Sequence, residues 1–134
     1  LKADYIDKGL LKFVYVPFTS SRPNSQLTAK ASYCAGQEQG NSGFYKMHDG
    51  IFASADMGLN SILNLASKQG LNKNNFERCL EDANTNLVLK NEVQKAYNLG
   101  VRGTPNLIIN GLVITGFVEY ETLQGIIKNL ENAQ

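Results

Sequence analysis

The stretch that decides the fold is Val101 to Gly116, which reads Val-Arg-Gly-Thr-Pro-Asn-Leu-Ile-Ile-Asn-Gly-Leu-Val-Ile-Thr-Gly. Within it, residues 106–109 read Asn-Leu-Ile-Ile and are followed by Asn110-Gly111. This dipeptide is the strongest short signal for a β-hairpin, because both central residues of a type I′ turn need a positive φ. We therefore predict a strand over 106–109 and an antiparallel return over 112–116.

Helical patterns lie on both sides of this hairpin. After it, residues 119–132 carry apolar side chains at helical spacing, which predicts a closing helix. Before it, a block of five helices is predicted from the apolar spacing, from Asn and Ser caps and from terminal glycines at 40, 70 and 100. These helices are expected over residues 25–39, 42–52, 60–69, 72–80 and about 85–99.

The first 16 residues have a different character. Leu10 to Val16 reads Leu-Leu-Lys-Phe-Val-Tyr-Val before Pro17. This nearly continuous apolar run predicts a strand that is buried on both faces of a sheet. Leu1 to Asp7, followed by Lys8-Gly9, has the pattern of the end of a helix. The order of strand, helices, hairpin and helix predicts an α/β fold in which the helices form one block.

Composition excludes several classes of function. Lys plus Arg number 13 and Asp plus Glu 12 among the 134 residues, so the formal net charge of +1 lacks the basic footprint of a nucleic-acid-binding protein. The sequence has two cysteines, one histidine and no Cys-x-x-Cys, which argues against a four-ligand zinc site. Catalysis by a Ser-His-Asp or Cys-His arrangement would depend on His48.

The motifs together resemble the DsbA-like thiol-disulfide oxidoreductases. Val101 to Pro105 with the Ile-Asn-Gly turn is similar to the cis-proline loop and hairpin of that family. Leu11 to Phe18 resembles its second core strand, and three further segments resemble its inserted helices, in the family's order: Ala31–Gln39, Phe44–Phe52 and Phe76–Leu80. The similarity covers nearly all of the chain.

The resemblance implies an α/β fold with a thioredoxin-like sheet and an inserted all-helical subdomain. Residues 1–134 would form a single, partial DsbA-like domain. The thioredoxin-like core would comprise residues 1–18 and 100–134, and the helical insertion residues 24–99. The family's first core strand and its Cys-x-x-Cys are expected upstream of Leu1, with the Cys-x-x-Cys about 15–20 residues before it by the resemblance and helix length. We therefore expect an N-terminally truncated domain from which the catalytic segment was lost, cleaved or never included.

Thr104 and Pro105 are the candidate substrate-binding residues. The plain alternative is a proline that begins an edge strand. The Gly-Thr-Pro context instead predicts a cis bond, and the resemblance implies that the backbone beside this proline pairs with a substrate chain as an added strand. We assign that role to these two residues only, and we name no catalytic residue in this chain.

Cys34 and Cys79 leave two interpretations open, which are two separate buried thiols or a structural disulfide between inserted helices. Both face inward by helical phase, and some members of the resembled family carry a second, non-catalytic pair. For His48, which lies on the apolar stripe of its helix, a partly buried structural role is favoured over an active-site role.

The expected function is thiol-disulfide exchange on unfolded or cysteine-containing exported proteins, in the periplasm or another extracytoplasmic compartment. The chemistry would be thiolate attack through a mixed disulfide, with a membrane redox partner among the partners that the resemblance allows. It implies no metal, no organic cofactor and no nucleic acid. One alternative is a non-catalytic module that holds an extended peptide at Thr104-Pro105, and another is a misassembled fragment without a function.

The sheet is expected to be incomplete without the family's first strand. We expect one of three solutions, which are a strand donated by a second copy, a shift of Leu10–Val16 to pair with the hairpin, or an upstream segment. A strand-swapped homodimer is the first choice, because an open apolar edge is a template for pairing with another chain.

Overall fold

The structure is a computed structural model that describes residues 1–132, apart from the side chain of Pro23. It divides into two compact units. Pro17–Gln94 form the helical unit, and Leu1–Val16 together with the chain from Lys95 onward form the hairpin unit. The elements, in chain order, are a π-helical turn Lys2–Ile6, α1 Pro23–Phe52, α2 Leu59–Lys68, α3 Lys73–Glu81, α4 Ala83–Asn98, β1 Asn106–Ile109, β2 Leu112–Thr115 and α5 Tyr120–Asn132.

The core of the helical unit lies where α1, α2 and α3 pack on one another. Its largest fully buried side chains are Met47 on α1, Ile62 on α2 and Phe76 on α3. Each occupies a position that the helical spacing of the sequence assigns to an inward face. Other buried members of this cluster are Ala31, Cys34, Ala35, Ile51, Ala66, Leu71 and Leu80.

Helix α1 is broken at Gly40, where φ is +65° and ψ is −157°. The predicted end of a helix at this glycine is confirmed, because an L side chain rarely adopts such a φ. The second half of α1 returns close to the first. A Cβ atom at Gly43 would clash with the carbonyl oxygen of Ala35, so only glycine fits at this approach.

Both ends of α3 are held by side chains from α1 and by its own cap. Asn72 Oδ1 accepts a hydrogen bond from the backbone N–H of Asn75 at 3.0 Å, which confirms the predicted N-cap. Glu38 Oε1 accepts from the N–H of Asn72 at 2.7 Å. At the other end, Lys30 Nζ donates to the carbonyl of Leu80 at 3.1 Å. Positive charge at this C-terminus suits the helix dipole.

The sheet of the hairpin unit is the predicted hairpin, with β1 and β2 antiparallel and Ile109 opposite Leu112. Asn110 and Gly111 at its turn both have positive φ, +48° and +88°. One face of β1 packs on α5 through the cluster Tyr5, Leu123 and Ile127, joined by partly buried Leu107 and Ile109.

The prediction of a buried strand over Leu10–Val16 is wrong. This segment has no regular secondary structure, and Leu10, Val14 and Val16 are exposed. A strand exists only when a neighbour completes its ladder. Within residues 1–132 the sheet contains β1 and β2 alone, so the segment neither has a partner strand nor shifts across to the hairpin.

Candidate functional site

The candidate site is the loop that leads from α4 into β1 and ends at Thr104 and Pro105. Both residues are exposed, and the peptide bond between them is cis. The carbonyl of Pro105 accepts a hydrogen bond from the backbone N–H of Gly116 at 3.0 Å. This bond continues the hairpin by one step and fixes the start of β1 against the end of β2.

The main chain of Thr104 has no such partner. Across residues 1–132 the structure gives no hydrogen bond to its backbone N–H or its carbonyl. Since the carbonyl of Pro105 already accepts from Gly116, the donor and acceptor without a partner next to the cis bond are the backbone groups of the exposed residue Thr104. These are the groups that an extended peptide needs in order to pair with a protein edge.

Arg102 fixes the loop immediately before Thr104. Its Nη1 donates to the carbonyl of Tyr97 at 2.7 Å and to the carbonyl of Val101 at 2.9 Å. The guanidinium carbon lies 5.6 Å from the centre of the Tyr97 ring, within the range of a cation–π contact. Through these contacts the side chain links the last turn of α4 to the loop at Val101 and restrains the loop.

Phe117 is an exposed aromatic residue near the candidate site that was not predicted from the sequence. It follows Gly116, which the bond to Pro105 holds beside the loop, and 78% of its surface is exposed. Gly116 has a φ of +91°, so the chain turns away from β2 at this point. An aromatic residue directly after a turn-forming glycine at a strand end is the signal that could have indicated it.

Cys34 on α1 and Cys79 on α3 are joined by a disulfide, with their Cα atoms 5.8 Å apart. Of the two open interpretations, the structure contains the bridge rather than two separate thiols. Cys34 is only 2% exposed, and the sulfur of Cys79 lies 3.6 Å from the hydroxyl of Thr85. Among the described residues no cysteine is free, so no thiolate accompanies Thr104.

The sequence profile of the family described as Thioredoxin matches residues 1–129. The chain belongs to the Thioredoxin family. A search of curated proteins found no match to the chain.

Three solved structures share the fold of this thioredoxin-family chain. A thioredoxin-like oxidoreductase from Silicibacter pomeroyi DSS-3 is 23% identical, with a TM-score of 0.76 over 90% of this chain and 69% of that one. Two proteins from Wolbachia pipientis are each 20% identical. The thiol-disulfide exchange protein alpha-DsbA2 has a TM-score of 0.79 over 93% of this chain and 68% of its own. The corresponding values for alpha-DsbA1 are 0.78, 98% and 74%. The predicted thioredoxin-like fold is confirmed.

His48 of this thioredoxin-family chain lies in the helical unit, between the rings of Phe44 and Phe52 on α1. The ring centres are 6.2 Å and 4.7 Å from that of the imidazole. The His48 side chain is 16% exposed, and its Nδ1 is 3.0 Å from Oδ1 of Asp49. The packing between two aromatic rings favours the structural role.

No group of three or more His, Cys, Asp or Glu side chains within residues 1–132 is arranged to hold a metal ion. No helix in the described part of the chain has both the length and the apolar character needed to span a bilayer.

Proposed function

We propose that this chain carries the substrate-binding half of a DsbA-type thiol-disulfide oxidoreductase that acts on cysteine-containing proteins. The observation that carries the proposal is the exposed, unpaired main chain of Thr104 beside a fixed hairpin in a member of the Thioredoxin family. Two of the solved structures with this fold are described as a thioredoxin-like oxidoreductase and a thiol-disulfide exchange protein, which supports the same chemistry.

The chemistry requires cysteines other than those in this sequence. In exchange, a thiolate attacks one sulfur of a disulfide, a new sulfur–sulfur bond forms, and the second sulfur leaves as a thiolate. The sequence has no Cys-x-x-Cys, and both of its cysteines form the Cys34–Cys79 bridge. In this proposal Thr104 holds the substrate chain while a Cys-x-x-Cys outside these 134 residues performs the exchange, so the 134-residue chain alone is inactive.

The cellular context that we propose is an oxidising, extracytoplasmic compartment. Disulfides form and persist in such compartments and are rare in a reducing cytosol. The Cys34–Cys79 bridge supports this placement. The substrates are unfolded protein segments that contain cysteine, and a membrane redox partner exchanges electrons with the exchange site.

A strand-swapped homodimer is part of the proposal. Leu10, Val14 and Val16 expose apolar side chains on a segment whose composition favours a strand, while β1 has β2 as its one partner within the described chain. A second copy would supply the missing ladder partner. Sedimentation velocity tests this directly, and a monomer at all concentrations would contradict it.

The second candidate is a non-catalytic module that binds extended peptides. It is favoured by the absence of a Cys-x-x-Cys from the sequence and by the burial of Cys34 inside a disulfide. Insulin reduction separates the two candidates. If the full product of the gene reduces insulin while the 134-residue chain does not, the enzyme is supported. If neither is active while peptide binding is retained, the module is supported.

Peptide binding tests the feature that both candidates share. A labelled extended peptide with serine in place of cysteine is titrated with the 134-residue chain, and fluorescence anisotropy gives its Kd. A matched peptide carries an N-methyl group at the amide that pairs with Thr104, which removes one donor. We expect its binding to be about fivefold weaker, as for the loss of one hydrogen bond. Equal affinities would contradict backbone pairing. If the 134-residue chain reduces insulin and this activity disappears in Cys34→Ser, Cys34 performs the exchange. That result would contradict the proposal that the exchanging cysteines lie outside these 134 residues.

A further inference from the structure

Arg102 is the one charged side chain in a long neutral stretch around the site. Between Lys95 and Glu119 the sequence contains no other Lys, Arg, Asp or Glu. The stretch includes the loop, both strands of the hairpin and Phe117. A ligand that lies along Thr104 therefore meets one charged side chain of this stretch, the cation of Arg102, two residues before Thr104.

The guanidinium of Arg102 is only partly used by the protein. It has five N–H donors, and the two on Nη1 are directed at the carbonyls of Tyr97 and Val101. Within residues 1–132, no acceptor is found for the Nε and Nη2 donors. The side of the guanidinium that carries Nε and Nη2 is a fork that matches the two oxygens of a carboxylate.

The side chain is also held in place before any ligand arrives. An ordinary surface ion pair gains little, because two long side chains lose freedom when they meet. Here the two carbonyl bonds and the Tyr97 ring already restrain Arg102. When a peptide carboxylate binds, only the peptide's own side chain loses conformational freedom, because Arg102 is already restrained. This smaller entropy cost favours a measurable preference for an acidic peptide.

Exposed apolar side chains also lie on the hairpin unit near this loop. Phe117 adjoins the loop through the bond between Gly116 and Pro105, and on the hairpin Ile108 and Val113 are opposite each other and exposed. Exposed aromatic side chains are frequent anchors of binding energy at protein interfaces. This surface complements an extended segment with apolar side chains rather than a highly charged one.

We propose that the loop selects extended peptide segments that carry an acidic side chain close to the residue paired with Thr104, with the carboxylate bound by Nε and Nη2 of Arg102 and an apolar side chain packed on Phe117. The inference rests on the proposed function, since it names the class of substrate that the same site takes. The carboxylate of Asp or Glu in the peptide is the ligand group.

The test uses labelled extended peptides of apolar residues with serine in place of cysteine. Each set contains three peptides that differ at one position, which is Gln, Glu or Lys. The sets differ in where that position lies, from one to three residues before or after the serine. Fluorescence anisotropy gives Kd for the wild-type chain. We expect the best-placed Glu peptide to bind about threefold more tightly than its Gln counterpart, and the Lys peptide to bind more weakly. The ratio of the Kd of the Gln peptide to that of the Glu peptide should fall toward one in about 0.5 M salt, because screening weakens exposed ion pairs.

Two variants of Arg102 and two controls assign the preference to the guanidinium. Arg102→Gln should bind Glu and Gln peptides equally. Arg102→Lys should keep a smaller preference, because an ammonium carries the charge without the fork. Arg22→Gln makes the same substitution on an exposed side chain of the helical unit and should leave the preference unchanged. Phe117→Ala should weaken all peptides alike and keep the Glu to Gln ratio.

The outcomes separate this inference from the proposed function. If the Gln peptides bind but Glu gives no gain at any position, the acidic preference is overturned and peptide binding stands. A preference that survives in Arg102→Gln overturns the role of Arg102. If no peptide binds the wild-type chain, the proposed function is wrong and the inference falls with it. For each protein the readout is the ratio of its affinities for the Glu and Gln peptides. A variant that loosens the loop would weaken both affinities and would leave this ratio unchanged.

Discussion

The hydroxyl of Tyr120, at the start of α5, donates a hydrogen bond to a carboxylate oxygen of Asp4, although 116 positions separate the two residues in the sequence. Gln124 Nε2 donates to the same hydroxyl at 3.4 Å. The bond joins the π-helical turn Lys2–Ile6 to α5 within the hairpin unit. It connects the first residues of the chain with the closing helix.

This bond should determine the pKa of the Tyr120 hydroxyl. The hydrogen bond to Asp4 raises the pKa of Tyr120 from 10.0 to about 12, because it stabilises the protonated phenol. We expect Tyr120→Phe to remove the highest step from the absorbance titration at 295 nm. Asp4→Asn should bring the pKa of Tyr120 back toward 10.0.

The same shift gives the sign of a pH effect on stability. In the unfolded chain Tyr120 loses its proton near its usual pKa, while the folded chain keeps it to about pH 12. The stability that the hydrogen bond between Tyr120 and Asp4 gives to the folded chain is therefore complete below pH 10 and is lost between about pH 10 and 12. Urea unfolding across this window should show a steeper loss for wild type than for Tyr120→Phe. Identical pH profiles would contradict the bond.

The disulfide should provide a large share of the stability of the helical unit. Its two cysteines are separated by 45 positions, and closing a loop of that size lowers the entropy of the unfolded chain. The expected contribution is roughly 4 kcal/mol. Urea unfolding followed by circular dichroism should therefore show a much lower midpoint for the Cys34→Ala, Cys79→Ala double variant than for the oxidised wild type. Dithiothreitol should shift the wild type in the same direction and leave the variant unchanged.

Two glycines should respond in opposite ways to the same substitution. Gly43→Ala places its Cβ against the carbonyl oxygen of Ala35 and should destabilise by about 1–3 kcal/mol, as for other overpacked sites. Gly125 lies inside α5 with nothing within 4 Å of an added Cβ. Gly125→Ala should stabilise by roughly 0.5–1 kcal/mol, because alanine loses less entropy in a helix. Thermal unfolding of the two variants tests the pair, and equal shifts would contradict the close approach at Gly43.

The contribution of the Asn72 cap of α3 to the free energy of unfolding should be measurable by itself. Asn72→Ala removes the acceptor for the N–H of Asn75 and should cost about 1 kcal/mol of unfolding free energy. Asn72→Asp keeps an acceptor at the same place and is the matched control. If alanine and aspartate give the same unfolding midpoint, the cap is not a source of stability.

Local signals in the sequence predicted most of the elements. The turn at Asn110-Gly111, the cap at Asn72 and the break at Gly40 each depend on the conformation of one or two residues, and the structure has all three. Some boundaries moved by a few residues, as for α4, which was expected from about residue 85 and begins at Ala83. Such shifts arise because helix ends depend on neighbouring contacts as well as on the cap.

What could not be predicted depends on contacts between distant parts of the chain. The apolar run Leu10–Val16 fits a strand by composition, but a strand requires a ladder partner that no local pattern supplies. Tyr97 has the helical phase of an inward residue and is exposed, with Arg102 over its ring. Thr104 and Pro105 were named from the loop motif, whereas the position of Phe117 near them depends on the bond between Gly116 and Pro105.

The disulfide turns part of the helical unit into a closed covalent ring. The ring contains the second half of α1, all of α2 and most of α3, since it is closed at Cys34 and Cys79. A protease that cuts once between residues 35 and 78 opens this ring without releasing a fragment. The nicked protein would remain one molecule in a non-reducing gel and separate into two pieces only after reduction, so a single cleavage there would leave both cut ends tethered beside the same core.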